Sequence, residues 1–234
     1  MDLLYGEKED IEYDKVKNFF NKRVNKGLDS DLLIGIYENK DIAEARNLEQ
    51  GKLMIDTIDF EGKKVLEIGC GAGRFTEFIY DKCSYYLGFD LTEEHIKIAN
   101  ENNKYDNCKF QVMSAVDLKI DEFLIEPPFD VILISQVLLF INDEDLSILM
   151  DELNKITSDN KQMFVTETTA HDSRLTLKDF YSSGLDDDYN AIYRTKEEFL
   201  SFFDKLNFNE IETYDMFMDT NVHEDSHVIS YVMK

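Results

Sequence analysis

Glu67-Ile68-Gly69-Cys70-Gly71-Ala72-Gly73-Arg74 sets an acid and three glycines between the apolar run 64–69 and the amphipathic stretch 75–81. Strand, turn and helix in that order bring a backbone without side chains close to a ligand, because glycine lacks Cβ and tolerates positive φ. Nineteen residues after Gly71, the apolar run Tyr86-Leu87-Gly88-Phe89 ends in Asp90. In an open α/β sheet, an acid at the carboxyl end of the second strand faces a ribose and accepts hydrogen bonds from its hydroxyls. Binding of a nucleoside-containing cofactor is the chemistry these residues offer. The dinucleotide spacing G-x-G-x-x-G needs glycine at position 74, where Arg74 stands, and no Gly-Lys-Ser/Thr follows the turn. NAD, FAD and the P-loop are accordingly disfavoured.

Two other clusters carry reactive groups. His171, in Thr168-Thr169-Ala170-His171-Asp172, offers an imidazole after a strand-like run, which makes it a general-base candidate or a surface residue. Tyr181, Tyr189 and Tyr193 flank Asp186-Asp187-Asp188, a set that reads either as an amine-holding face or as core tyrosines beside an acidic turn. His223-Glu224-Asp225-Ser226-His227 reads as an exposed turn in preference to a metal site, and no metal is expected. Cys70, Cys83 and Cys108 match neither a zinc ribbon nor a disulfide framework, which fits a reducing compartment.

The elements that position these residues alternate. After Glu61-Gly62, the runs 64–69, 85–90, 108–113, 131–135 and 162–167 are strand-like, and 75–81, 93–100 and 146–156 are helix-like. Continuous apolar strands alternating with helices define an α/β domain with a parallel sheet covered on both faces. Residues 197–206 read as a helix, and 210–218 with 227–233 as a terminal antiparallel pair joined by the polar loop 219–226. Two helices, 11–23 and 41–58, precede this core; the first gathers Lys15, Lys17, Lys22, Arg23 and Lys26, a solvated face or a lid that attracts an anion.

Asp+Glu 49 against Lys+Arg 25 gives a net charge of −24 over 234 residues, so the surface repels phosphate backbones and anionic lipid. Nucleic acid and membrane are not expected partners. No basic stretch followed by an apolar region opens the chain, and a soluble, cytoplasmic protein is expected.

Glu67 with Gly69, Gly71 and Gly73, followed by Asp90 and Leu91, resembles the first two motifs of the class I S-adenosylmethionine-dependent methyltransferases. The resemblance implies a Rossmann-like fold with a mostly parallel seven-stranded sheet, helices on both faces and a C-terminal antiparallel pair. S-adenosylmethionine is the implied cofactor, with Cys70 among the turn residues and Leu91 packing on adenine. Phe110-Gln111-Val112-Met113-Ser114-Ala115-Val116-Asp117 resembles the third motif, in which Ser114, Asp117 or the backbone of Ala115 and Val116 meets the adenine amine. Ser135 and Gln136, at the end of the fourth strand, lie beneath the transferable methyl. Thr92 is the expected N-cap of the following helix, and Arg46, with Arg23 in reserve, is implied to hold the methionine carboxylate.

The signature Asn/Asp-Pro-Pro-Tyr is missing, and Phe140 stands where small-molecule members often carry histidine. These features imply an N- or O-methyltransferase acting on a small molecule of sugar, amino-acid or secondary metabolism, with His171 as its base. A protein or peptide methyltransferase and a non-catalytic scaffold are the alternatives. Residues 1–60 are expected to form a helical lid and 61–234 the methyltransferase domain, with a substrate-loop insertion at about 168–195, in a monomer or homodimer.

Overall fold

The computed structural model describes residues 2–25, 40–182, 185–217 and 224–234. Its main sheet has seven strands: β2 (Lys64–Ile68), β3 (Tyr85–Asp90), β4 (Cys108–Val112), β5 (Phe129–Ser135), β6 (Thr157–Ala170), β9 (Ile211–Met216) and β10 (Ser226–Met233), in the order β4-β3-β2-β5-β6-β10-β9. Pairing is parallel from β4 to β6 and antiparallel for β6–β10 and β10–β9. This is the expected Rossmann-like methyltransferase sheet, including its C-terminal antiparallel pair.

Alternation along the buried strands divides the core between the two faces, since successive side chains point to opposite sides. Leu66, Ile68, Leu87, Ile132 and Ile134 pack against Leu146, Leu149 and Leu153 of α5 (Asp143–Ile156) and Phe199 and Phe203 of α6 (Lys196–Phe203). Val65, Tyr86, Val131 and Leu133 pack on the other face, against Met54 of α2 (Lys40–Thr57), Ile79 of α3 (Thr76–Ile79) and Ile96 and Ala99 of α4 (Glu93–Asn102). Both faces are covered, so the strands are apolar throughout and helices must separate them in sequence.

Three features depart from the sequence reading. The stretch 75–81 forms only the single helical turn α3, because the preceding residues are spent in tight turns closed by Gly73 N–H to Cys70 O and Thr76 N–H to Gly73 O. Thr92 occupies the N-cap position of α4 with extended dihedrals, but its side chain makes no cap hydrogen bond among the described residues. A second sheet, β1-β7-β8, joins β1 (Asp2–Tyr5) to the hairpin of β7 (Leu175–Ser182) and β8 (Asp187–Tyr193), all antiparallel. Four residues of β1 carry too little pattern to announce a strand, and their pairing partner lies far along the chain. Helix α1 (Tyr13–Asn25) packs Phe19 against Leu175, Leu177 and Tyr189 of this sheet.

Candidate functional site

Strand order reverses on either side of β2, whose neighbours are β3 and β5, and ligands bind at such switch points beyond the carboxyl ends of the strands. A cavity of about 490 Å³ lies there, within the range of small-molecule sites. The glycine turn forms its floor. Gly69 and Cys70 donate their N–H groups to Phe89 O at 2.8 and 3.0 Å, locking the turn to the end of β3. Gly69 has φ +69°, and a Cβ there would stand 2.3 Å from Val137 Cγ2, so the close approach of two chain segments requires glycine.

Gly69 and Gly71 line the cavity, whereas Glu67, Cys70 and Gly73 support the turn from behind. Glu67 is 2 % exposed and accepts a hydrogen bond of 2.5 Å from Tyr86 Oη. Burial pushes its carboxyl up to about 7, against the opposing pull of the Tyr86 hydroxyl and Arg74. Behind the turn, a Cβ on Gly73 would meet Asn103 Nδ2 at 2.7 Å.

Asp90 faces the cavity at the end of β3. Its Oδ2 accepts Gly71 N–H at 3.0 Å, its Oδ1 accepts Thr92 N–H at 2.8 Å, and His95 Nδ1 lies 3.3 Å from Oδ1. Leu91, Ser114, Ala115 and Val116 line the neighbouring wall. Ser114 Oγ accepts Val116 N–H at 3.3 Å, while Asp117 is exposed and paired with Lys119 at 2.5 Å. Of the two side chains considered for the adenine end, the structure brings Ser114 to the cavity and leaves Asp117 outside.

Arg46 of α2 reaches the same cavity, 7 % exposed and 4.6 Å from the ring centre of Phe217. Burial lowers its guanidinium to about 10, with Glu49 acting in the opposite direction. Ser135 Oγ receives Arg74 Nη2 at 2.8 Å and Gln50 Nε2 at 2.9 Å, and Arg74 also donates to Asn47 Oδ1 at 3.0 Å. This network ties α2 to the glycine turn and β5. Gln136 lines the cavity with φ +57°, unusual for a residue with a side chain. Its N–H donates to Thr166 O at 2.8 Å, and its Oε1 accepts from Thr168 Oγ1 at 2.8 Å.

Beyond Gln136 the cavity becomes aromatic. Phe20 of α1 meets Phe140 edge-on at 5.2 Å, and Phe140 meets Tyr189 at 5.9 Å. Tyr189 and Tyr193 are buried cavity residues, but Tyr181 is 45 % exposed and bonded to Asp186 Oδ1 at 2.8 Å. Lys22 pairs with Asp187 at 2.9 Å, so the acidic turn belongs to the outer surface. The reserve arginine, Arg23, also lines this chamber, and burial lowers its pKa.

His171 is exposed and lies outside the cavity lining. Its ring centre lies 4.4 Å from that of His227, the planes tilted by 35°; His227 does line the cavity, and its Nδ1 stands 2.9 Å from Asp215 Oδ1. Burial and the adjacent His171 lower the His227 pKa, while Asp215 opposes them. The chain bends away after β6, which directs His171 to the surface and leaves the register-opposed β10 to present histidine inward. Lys26 and His223 lie outside the described residues, and among those described no cluster of three His, Cys, Asp or Glu could hold a metal.

Glu167 escaped the sequence reading. It is fully buried and its carboxylate accepts the N–H groups of Val137 and Leu138 at 2.9 Å each and of Leu139 at 3.3 Å. Burial pushes its pKa up to about 7 in spite of these bonds. Arg194, also fully buried, donates to Leu138 O at 2.8 Å and Ile141 O at 2.6 Å. Its polarity in an apolar run was a signal that a buried cation has carbonyls or carboxylates to hold.

The fold is that of a class I S-adenosylmethionine-dependent methyltransferase. Residues 59–215 match the family described as "Methyltransferase domain", and the chain belongs to that family, whose cofactor is S-adenosylmethionine. Phosphoethanolamine N-methyltransferase 1 of Arabidopsis thaliana is 30 % identical over 118 residues, covering 49 % of this chain and 23 % of that protein. The chain thus spans about a quarter of the length of such curated relatives. Among solved structures, Haemonchus contortus phosphoethanolamine N-methyltransferase 1 with phosphoethanolamine and S-adenosylhomocysteine matches with TM-score 0.73 at 14 % identity, covering 94 % of this chain and 48 % of the other. A Leishmania major S-adenosylmethionine-dependent methyltransferase matches with TM-score 0.66 at 13 % identity, covering 95 % and 85 %. Both likenesses bear on the fold. No helix among the described residues is long and apolar enough to cross a membrane.

Proposed function

We propose that this chain transfers a methyl group from S-adenosylmethionine to the nitrogen of a small acceptor. The reading is carried by the continuity of one cavity, which runs from Gly69, Gly71 and Asp90 to the aromatic chamber of Phe20, Phe140 and Tyr189. The donor set fits the cofactor: an acid for ribose, a side-chain-free turn, an apolar wall at Leu91 and Val116, and Arg46 for a carboxylate. Bound there, S-adenosylmethionine supplies a methyl on a sulfonium for in-line displacement. The chain itself contributes position and surroundings.

Phe20, Phe140 and Tyr189 exclude water and offer ring faces to a cationic amine, favourable at about 0.5–2 kcal/mol per contact. Holding acceptor and methyl in one chamber lowers the barrier through orientation alone, so a neutral amine needs no base in contact with it. Where the amine enters protonated, His227 is the cavity group placed to take the proton, with its Nδ1 directed to Asp215. N-methylation is favoured over O-methylation because the relatives named above act on the amine of phosphoethanolamine. The chamber is roofed by α1, which supports a small acceptor over a peptide chain.

Calorimetric titration with S-adenosylmethionine and S-adenosylhomocysteine, with NAD as control, tests the reading. Micromolar binding of the first two without NAD is expected, followed by acceptor-dependent formation of S-adenosylhomocysteine with phosphoethanolamine or related amines. Binding of neither cofactor form would remove the reading. Binding without turnover on any amine, alcohol or peptide would favour the scaffold.

A further inference from the structure

The hydrogen-bond capacity of Asp90 is mostly taken before a ligand arrives. A carboxylate offers about four lone-pair positions. Thr92 N–H at 2.8 Å and His95 Nδ1 at 3.3 Å occupy Oδ1, and Gly71 N–H at 3.0 Å occupies one position on Oδ2. One position on Oδ2 remains. The ribose of S-adenosylmethionine presents two hydroxyls, so Asp90 in this arrangement accepts one of them and the other needs a different acceptor.

His95 meets that need. It lines the same cavity from the first turn of α4 and is 3 % exposed. A carboxylate can only accept, so the contact with Asp90 sets the proton of the neutral imidazole on Nδ1 and leaves a bare lone pair on Nε2. Nε2 is buried and has no hydrogen-bond partner among the described residues. Buried polar atoms of this kind are rare, and each calls for a partner.

Resting on the cofactor assignment made above, we propose that the ribose diol is shared between two residues. Asp90 accepts one hydroxyl through the open position on Oδ2, and His95 accepts the other through Nε2. Phe20, half-buried on α1, has its ring centre 6.4 Å from that of His95. His95 is therefore a cofactor-binding residue, and the Asp90 contact fixes its tautomer for that role.

A deletion of His95 frees a position on Asp90 Oδ1 and masks the loss, so the experiment reads the nitrogen directly. The full chain has four histidines, which permits nitrogen-15 histidine labelling, with the His95 signals assigned by their disappearance in His95→Phe. Titration with S-adenosylhomocysteine should move the Nε2 resonance from the position of a bare acceptor towards that of a hydrogen-bonded one. Its 2′-deoxy or 3′-deoxy analogue, whichever lacks the hydroxyl facing His95, should leave the resonance unmoved and bind about fivefold to tenfold more weakly by calorimetry. Calorimetric binding of all three ligands with an unmoved Nε2 overturns the shared diol and leaves the cofactor reading intact. Failure of S-adenosylhomocysteine to bind overturns both.

Discussion

Glu167 and Arg194 hold the turn 137–141 by opposite ends of its peptide groups. The carboxylate takes the N–H groups of Val137, Leu138 and Leu139, and the guanidinium takes the carbonyls of Leu138 and Ile141. Two groups that are expensive to bury are thereby satisfied by the backbone of a single 3-10 turn, in which Leu138 O also accepts Ile141 N–H at 3.2 Å. The turn carries Val137, which touches the glycine turn, and Phe140, which walls the acceptor chamber. Stability and site geometry therefore share these two residues.

Replacing Arg194 by Met should keep the side-chain volume but take the cation away from the two carbonyls, while Asp143, its partner at 2.7 Å, keeps Arg174 at 2.9 Å. Because Asp143 retains Arg174, the loss is that of a charged donor to buried carbonyls, typically about 1.5–3 kcal/mol. Urea unfolding should show a midpoint far below that of the wild type. A loss under about 1 kcal/mol would mean that water replaces the guanidinium and that the turn does not depend on it.

The buried Glu67 predicts a pH dependence. Its carboxyl rises from 4.5 to about 7 through burial, so the folded state favours the protonated form. The associated stability is present below the unfolded pKa and is lost as pH rises through about 7. The full shift corresponds to a loss on the order of 3 kcal/mol at most between pH 4.5 and 8. Glu67→Gln keeps an acceptor for Tyr86 and removes the titration, so its unfolding free energy should fall less over that interval. Parallel pH profiles for wild type and variant would contradict the assignment.

Gly69→Ala tests how closely the turn approaches its wall. The methyl would stand 2.3 Å from Val137 Cγ2 at a φ of +69°, and valine has little rotamer freedom with which to retreat. Backbone strain and overpacking together predict about 1–3 kcal/mol of lost stability. Because displacement of Val137 reshapes the cavity, S-adenosylhomocysteine affinity should fall by about tenfold or more in the folded variant. Wild-type affinity would show that the wall yields without consequence for the ligand.

The sheet and the cofactor end were readable because they depend on local pattern. Apolar runs ending in Gly69 or Asp90 state both a strand and where it stops, and the alternation with helices follows from burial on both faces. What escaped was non-local. β1 pairs with β7 across most of the chain, and no short window contains both partners. Glu167 looked like the end of a strand, since its role depends on three amides some thirty residues earlier. Asp117 and Ser114 are three residues apart, and only the turn between them decides which one faces inward. Likewise, β6 and β10 run antiparallel with His227 opposite Thr169, so which histidine lines the cavity is a matter of pairing that spacing does not reveal.

That last relationship separates the two histidines by experiment. A general base in contact with the acceptor contributes roughly 10²–10⁴-fold to the rate. His171 is exposed and outside the cavity, so His171→Ala should lower turnover by far less than that and leave S-adenosylhomocysteine affinity unchanged. His227→Ala removes a cavity nitrogen whose orientation Asp215 fixes at 2.9 Å, and with an ammonium acceptor its turnover should fall towards the base-catalysed range. His171 also lowers the pKa of His227 by proximity, so its removal should shift the rising limb of the rate profile to higher pH. Steady-state rates of the two variants between pH 5 and 9 decide the matter. A hundredfold loss in His171→Ala alone would return the catalytic role to His171 and require the end of β6 to turn inward when the acceptor binds.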